Sequence, residues 1–158
     1  MSSRLVLALS LAIVWCSPSI VRSEEADDQY SVAAAHYARQ QWDLASEAFE
    51  IFLERWPEHA QAPTAEFFLG EALVQQGEYA KALERFDQSL ARDDDGRFAR
   101  QSLFRAGEAA YLLQEYETAQ HRITDFIEKY PDDALNAYAL PYLAQINLEA
   151  GDAQTAQQ

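Results

Sequence analysis

Apolar residues recur along this chain at the spacing of amphipathic helices, in short blocks separated by polar turns, and the whole pattern repeats every 37 residues. Ala45, Ala82, Ala119 and Ala156 share one register, with Trp42, Tyr79 and Tyr116 three residues upstream and Phe49, Phe86 and Ile123 four downstream. Gln40, Gly77, Gln114 and Gly151 mark a turn at the same period. In the other half of the unit the small residues Ala33, Gly70, Gly107 and Ala144 recur, preceded by Val32, Leu69, Ala106 and Leu143. The small positions let neighbouring helices approach closely, and the large aromatic positions fill the space between them.

Each unit therefore reads as two amphipathic helices joined by a short turn. The predicted helices cover about 27–40, 43–55, 62–76, 79–91, 98–113, 116–129 and 134–150, with an eighth beginning near Asp152 and cut short. Pro57 and Pro131 end the second helices of units one and three, because a ring without an N–H cannot continue the hydrogen-bond ladder. Asp93-Asp94-Asp95-Gly96 ends that of unit two. The fold class this implies is all-α, a solenoid of stacked antiparallel helix pairs, with repeats at about 26–62, 63–99 and 100–136 and a partial fourth at 137–158.

Small residue, turn, aromatic, Ala, aromatic and Pro fall at relative positions that resemble the tetratricopeptide repeat family, whose unit is about 34 residues. The resemblance covers 27–158 and implies a right-handed superhelix that works as a binding scaffold. The three residues added between the terminal Pro and the next first helix resemble a longer variant found in bacterial envelope proteins. So do Arg55-Trp56-Pro57, Phe67-Phe68-Leu69-Gly70-Glu71-Ala72, Gly77-Glu78-Tyr79 and Lys129-Tyr130-Pro131-Asp132-Asp133-Ala134. The Tol-Pal periplasmic coordinator and the outer-membrane β-barrel assembly lipoprotein carry such repeats. This sequence departs from the first in having no coiled-coil segment ahead of the repeats, and from the second in having no lipid-modification signal.

In repeats of this kind the second, fifth, ninth and twelfth positions of the first helix face a concave groove. The second column here is Thr64, Gln101 and Tyr138; the fifth is Tyr30, Phe67 and Phe104; the ninth is Ala34, Glu71 and Glu108; the twelfth is Tyr37, Val74, Tyr111 and Leu148. The resemblance thus implies a partner-binding groove of Tyr30, Tyr37, Phe67, Glu71, Val74, Phe104, Glu108, Tyr111 and Tyr138, aromatic with acidic spots. Repeat domains that clamp a C-terminal carboxylate place Lys, Arg and Asn where Glu71 and Glu108 stand, so a basic or neutral segment with apolar anchors is expected instead. Replacing Phe67 and Phe104 with alanine is expected to weaken partner capture while leaving helicity largely intact.

Charge and composition narrow the class further. With 12 basic against 26 acidic residues, a formal charge of −14, the surface repels nucleic-acid phosphates and anionic lipid. The apolar run Leu5–Cys16, preceded by Arg4 and ended by Ser17-Pro18-Ser19, has the length of a signal-peptide core rather than of a membrane span. Val21-Arg22-Ser23 sets a cleavage point before Glu24, so residues 1–23 are expected to leave, taking Cys16 with them. Trp15 stands before Cys16 where lipidation needs a small residue. The mature chain, 24–158, then has no membrane span and carries 10 basic against 26 acidic residues.

No constellation for catalysis is legible. His36, His59 and His121 lie in separate contexts without metal-ligand partners, and His36 is expected to be a partly buried, hydrogen-bonded helix residue. The Asp93–Gly96 run lacks the calcium-loop spacing, since Ala91 and Ser102 occupy positions that would need acids. The many carboxylates are expected to face solvent, none in an apolar pocket. No metal or cofactor is expected, and the first reading is an exported, periplasmic, non-enzymatic scaffold that holds envelope proteins together. The alternative is the N-terminal recognition or oligomerisation part of a longer enzyme or sensor. Leu140, Leu143, Ile146 and Leu148 on the last first helix leave an open apolar face that could serve self-association.

Overall fold

The computed structural model describes residues 18–156, with side chains over 23–149. Among these residues the chain forms seven helices and no strand: α1 (Pro18–Ala38), α2 (Trp42–Arg55), α3 (Ala62–Gln75), α4 (Tyr79–Arg92), α5 (Ala99–Leu112), α6 (Tyr116–Lys129) and α7 (Asn136–Ala156). Each helix packs on the next in chain order, giving a solenoid of stacked pairs. Residues 1–17, including the apolar run and Cys16, lie outside the described residues.

The turn inside each pair has one geometry. Gln40, Gly77 and Gln114 adopt φ of 58°, 78° and 62°, the left-handed conformation that ends a helix. The following amides close the turn by donating five residues back, Gln41 to His36, Glu78 to Leu73 and Glu115 to Ala110, at 2.9–3.0 Å. Of these three turns only that of unit two has glycine; glutamine takes the strain in the other two.

The core follows the repeat columns. Gly70 and Gly107 sit under the Phe86 ring and the Ile123 side chain, and Phe49, Phe52, Phe86, Ile123 and Phe126 are fully buried. Successive units are tied by the basic residue that ends each second helix. Arg92 donates to the Pro57 carbonyl at 2.7 Å and Lys129 to the Asp94 carbonyl at 2.8 Å, while Arg55 pairs with Glu25 at 2.8 Å. The Asp93–Gly96 run is therefore an exposed turn held by Lys129, which also meets Asp95 at 3.3 Å.

Two boundaries differ from expectation. α1 begins at Pro18 rather than near 27, and so runs through Ser23 and Glu24. The Glu25–Arg55 pair ties this extension of α1 to α2. α7 continues through Gly151 and Asp152 to Ala156, so the expected turn and eighth helix are absent among the described residues.

Candidate partner-binding groove

Phe67, Glu71, Phe104, Glu108 and Tyr138 come together as expected, in one recess of about 400 Å³ that also takes in Gln101, Arg105 and Leu135. Three first helices build it. α3 supplies Phe67 and Glu71 one turn apart, α5 supplies Gln101, Phe104, Arg105 and Glu108, and α7 with the segment before it supplies Tyr138 and Leu135.

The two phenylalanines form the floor rather than projecting from it. Phe67 and Phe104 are each only 7% exposed. The Phe67 ring stacks on Phe98 with centroids 4.5 Å apart and also meets Phe68 and Phe86, and Phe104 packs against Phe126 at 5.4 Å. Tyr138, 68% exposed, is the aromatic that stands free on the rim.

Arg105 modifies the acidity expected of the groove. Its Nε donates to Glu71 Oε1 and its Nη1 donates to Glu108 Oε2 at 2.7 Å, so one guanidinium bridges two carboxylates on neighbouring helices. All three side chains are largely buried, and the Glu71 carboxyl is pushed up from the ordinary range by desolvation, against the opposing pull of Arg105. Burial works against the charge on the Arg105 guanidinium, but the two carboxylates together outweigh it and raise its pKa above the ordinary value. The Tyr142 phenol lies near Glu108 and is raised strongly by burial first and by that carboxylate second.

The remaining expected residues lie outside the recess. Tyr30 wedges edge-on against Phe49 and Phe52 at 5.9 and 5.5 Å, and Tyr37 meets Trp42 and Phe68 at 5.4 and 4.9 Å. Tyr111 packs on Tyr116 and Tyr142, and Val74 is half-buried in the first core cluster. These four are inter-helix packing residues whose edges reach the surface.

Not all carboxylates face solvent. Glu66 on α3 is 1% exposed, its carboxyl raised by desolvation, with Arg85 and Arg92 each 3.4 Å away to offset the burial. It lies where α2, α3 and α4 meet, on a helix face that the sequence marks only by its apolar neighbours. His36 is hydrogen-bonded to Gln41 at 2.8 Å, as expected of a helix residue. No cluster of three metal-ligating side chains occurs among the described residues.

Stacked helix pairs with a recess across successive first helices define a helical-repeat scaffold. The chain belongs to the tetratricopeptide repeat family: models of that description match residues 29–95 and 101–133, more than half of its length. The crystal structure of the apo form of RapI is similar at 18% identity with a TM-score of 0.70 over 86% of this chain, which spans 40% of the RapI chain. The first TPR of Spaghetti (RPAP3), bound to the HSP90 peptide SRMEEVD, is similar at 18% identity with a TM-score of 0.67, covering 82% of this chain and 95% of that one. The TPR2B domain of yeast Sti1, in a pHsp70 complex, follows at 16% identity and 0.60, covering 84% and 98%. At these identities the likeness is one of fold. No curated protein sequence matches the chain.

Proposed function

We propose that the chain is an exported, non-enzymatic interaction scaffold of the cell envelope, periplasmic once its leader is removed, that holds a segment of a partner protein in the recess between α3, α5 and α7. The observation that carries this reading is the recess itself, an apolar floor with charged walls and one freely exposed aromatic at its rim. Two of the similar structures are complexes with peptides, which supports a protein partner. The apolar run at 5–16 and the cleavage pattern at 21–23 support export, and the 37-residue period supports an envelope setting. No described helix is long and apolar enough to cross a membrane.

The test is a photoreactive residue in place of Tyr138 in the full chain, crosslinked in the cells that make it and read by mass spectrometry. One discrete envelope protein, attached through a single short segment and absent when the probe replaces exposed Leu44 on α2, is the expected result. The recovered chain is expected to start at Glu24. Capture of nothing, or a chain that retains Met1, overturns the reading.

The face of α7 favours self-association as a second reading. Leu140 and Leu148 are 55% and 66% exposed, and Ala144 is exposed where Gly70 and Gly107 are covered by Phe86 and Ile123. No charged residue occurs from Asn136 to Leu148, so two acidic copies can meet along this stripe without repulsion. Sedimentation is expected to show a concentration-dependent dimer, weakened about tenfold or more by Leu140→Ser with Leu148→Ser. A concentration-independent monomer removes this reading.

A further inference from the structure

We infer that the recess selects a partner residue pair in which a cation, the side chain of Lys or Arg, stands beside an aliphatic or aromatic anchor. The inference rests on the groove reading above and specifies its ligand. Glu71 and Glu108 face one guanidinium, Arg105, so the trio keeps one surplus negative charge in a largely buried setting. The other lining residues, Phe67, Gln101, Phe104, Leu135 and Tyr138, are neutral and leave that charge uncompensated. A cation supplied by a partner completes the balance, whereas an acidic side chain would place a third carboxylate beside two.

Arg105 occupies Glu71 Oε1 and Glu108 Oε2, so each carboxylate keeps one oxygen with no donor among the described residues. Gln101 Oε1, in the wall of the same recess, is buried without a donor. The free carboxylate oxygens are charged acceptors to which a partner's ammonium or guanidinium can donate.

The apolar part of the preference comes from the walls. The phenylalanine floor and Leu135 offer surface for one apolar side chain, and the exposed Tyr138 ring offers a face for the methylene stem and head of the cation. A volume of about 400 Å³ holds a pair of side chains rather than a folded element.

The test is a titration of the ¹⁵N-labelled full chain with four short end-capped peptides, identical except for a central Phe-Lys, Phe-Arg, Phe-Gln or Phe-Glu, at about 50 mM salt. The Lys and Arg peptides are expected to shift the Arg105 Nε–H and Tyr138 signals and to bind about tenfold or more tighter than the Glu peptide. Glu71→Gln with Glu108→Gln should reduce that ratio to below about threefold. If circular dichroism shows this double variant to be unfolded, Glu108→Gln alone, at a partly exposed position, is expected to reduce the ratio in the same direction. Equal or tighter binding of the Glu peptide overturns the charge preference but leaves the groove in place. Binding by none of the four, or shifts confined to other surfaces, overturns the inference, while the crosslink at position 138 still decides separately whether the groove holds a partner.

Discussion

Phe67→Ala combined with Phe104→Ala is expected to unfold most of the chain, not to leave a helical protein that has merely lost its partner. Both rings are 7% exposed and lie in separate core clusters, one with Phe86 and Phe98, the other with Phe126 and Ile123. Truncating a buried phenylalanine costs about 3–5 kcal/mol through lost transfer energy and the cavity left behind. Side chains that share no partner add nearly independently. The combined loss, about 6–10 kcal/mol by the same figures, falls within the roughly 5–15 kcal/mol that stabilises an ordinary domain. Urea denaturation followed by circular dichroism checks it: each single variant should lower the midpoint, and the pair should show little cooperative transition at 37 °C. Tyr138→Ala, at a 68% exposed rim position, should stay within about 0.5 kcal/mol of the native chain and is the informative substitution for binding. A double variant that keeps a full cooperative transition while losing capture would make these rings binding residues instead of core.

The same rings show where reading the sequence reached its limit. The repeat register placed α2 to α6 within about a residue of their observed ends, because caps, turns and prolines recur in one frame. It put Phe67 and Phe104 in one column, and both line the same recess. It overstated their exposure because the three added residues of each unit are not a passive spacer. Gln61, Phe98 and Leu135 form one more column at the 37-residue period, in the loop ahead of each later first helix. Phe98 lies flat on Phe67, and Leu135 packs against the cluster that contains Phe104. The expected helices at 98–113 and 134–150 took in Phe98 and Leu135, whereas both residues stand just ahead of α5 and α7, where helical periodicity does not fix which way a side chain turns.

Charges were less legible than apolar positions for a related reason. Arg105 stands three residues before Glu108, a spacing readable as a helix pair, yet its second partner, Glu71, is 34 residues away and depends on how α3 and α5 stack. Glu66 likewise occupies a buried face only because α4 brings Arg85 and Arg92 across it. Periodicity locates a residue on its own helix; the neighbour that neutralises it belongs to the stacking. At the two ends α1 and α7 are each 21 residues long, against 14 for α2 to α6, so the 37-residue frame that fits the inner helices does not carry over to these two.

The second large effect is expected at Gly70, where the repeat needs a residue without a side chain. A Cβ there would lie 2.7 and 2.9 Å from two atoms of the Phe86 ring, which is fully buried and cannot swing away. Alanine should recover roughly 0.5–1 kcal/mol of helix stability relative to glycine. Overpacking a dense core costs about 1–3 kcal/mol, so the steric term wins and Gly70→Ala should be net destabilising. Gly70→Val adds two further carbons and a β-branched penalty, and its expected loss is about 3 kcal/mol or more. Gly77 provides the contrast. It adopts φ of +78° with open space around its Cβ position, and glutamine holds the same conformation at 40 and 114. Gly77→Gln should therefore cost only the left-handed backbone penalty, roughly 1–2 kcal/mol, and leave packing intact. A double-mutant cycle separates the two causes: Phe86→Leu should lessen the damage of Gly70→Ala, with a coupling of about 1 kcal/mol, and should leave the cost of Gly77→Gln unchanged. Additive losses at Gly70 and Phe86 would mean that the glycine column is set by backbone conformation rather than by the approach of the second helix. The close stacking on which the recess depends would then need another cause.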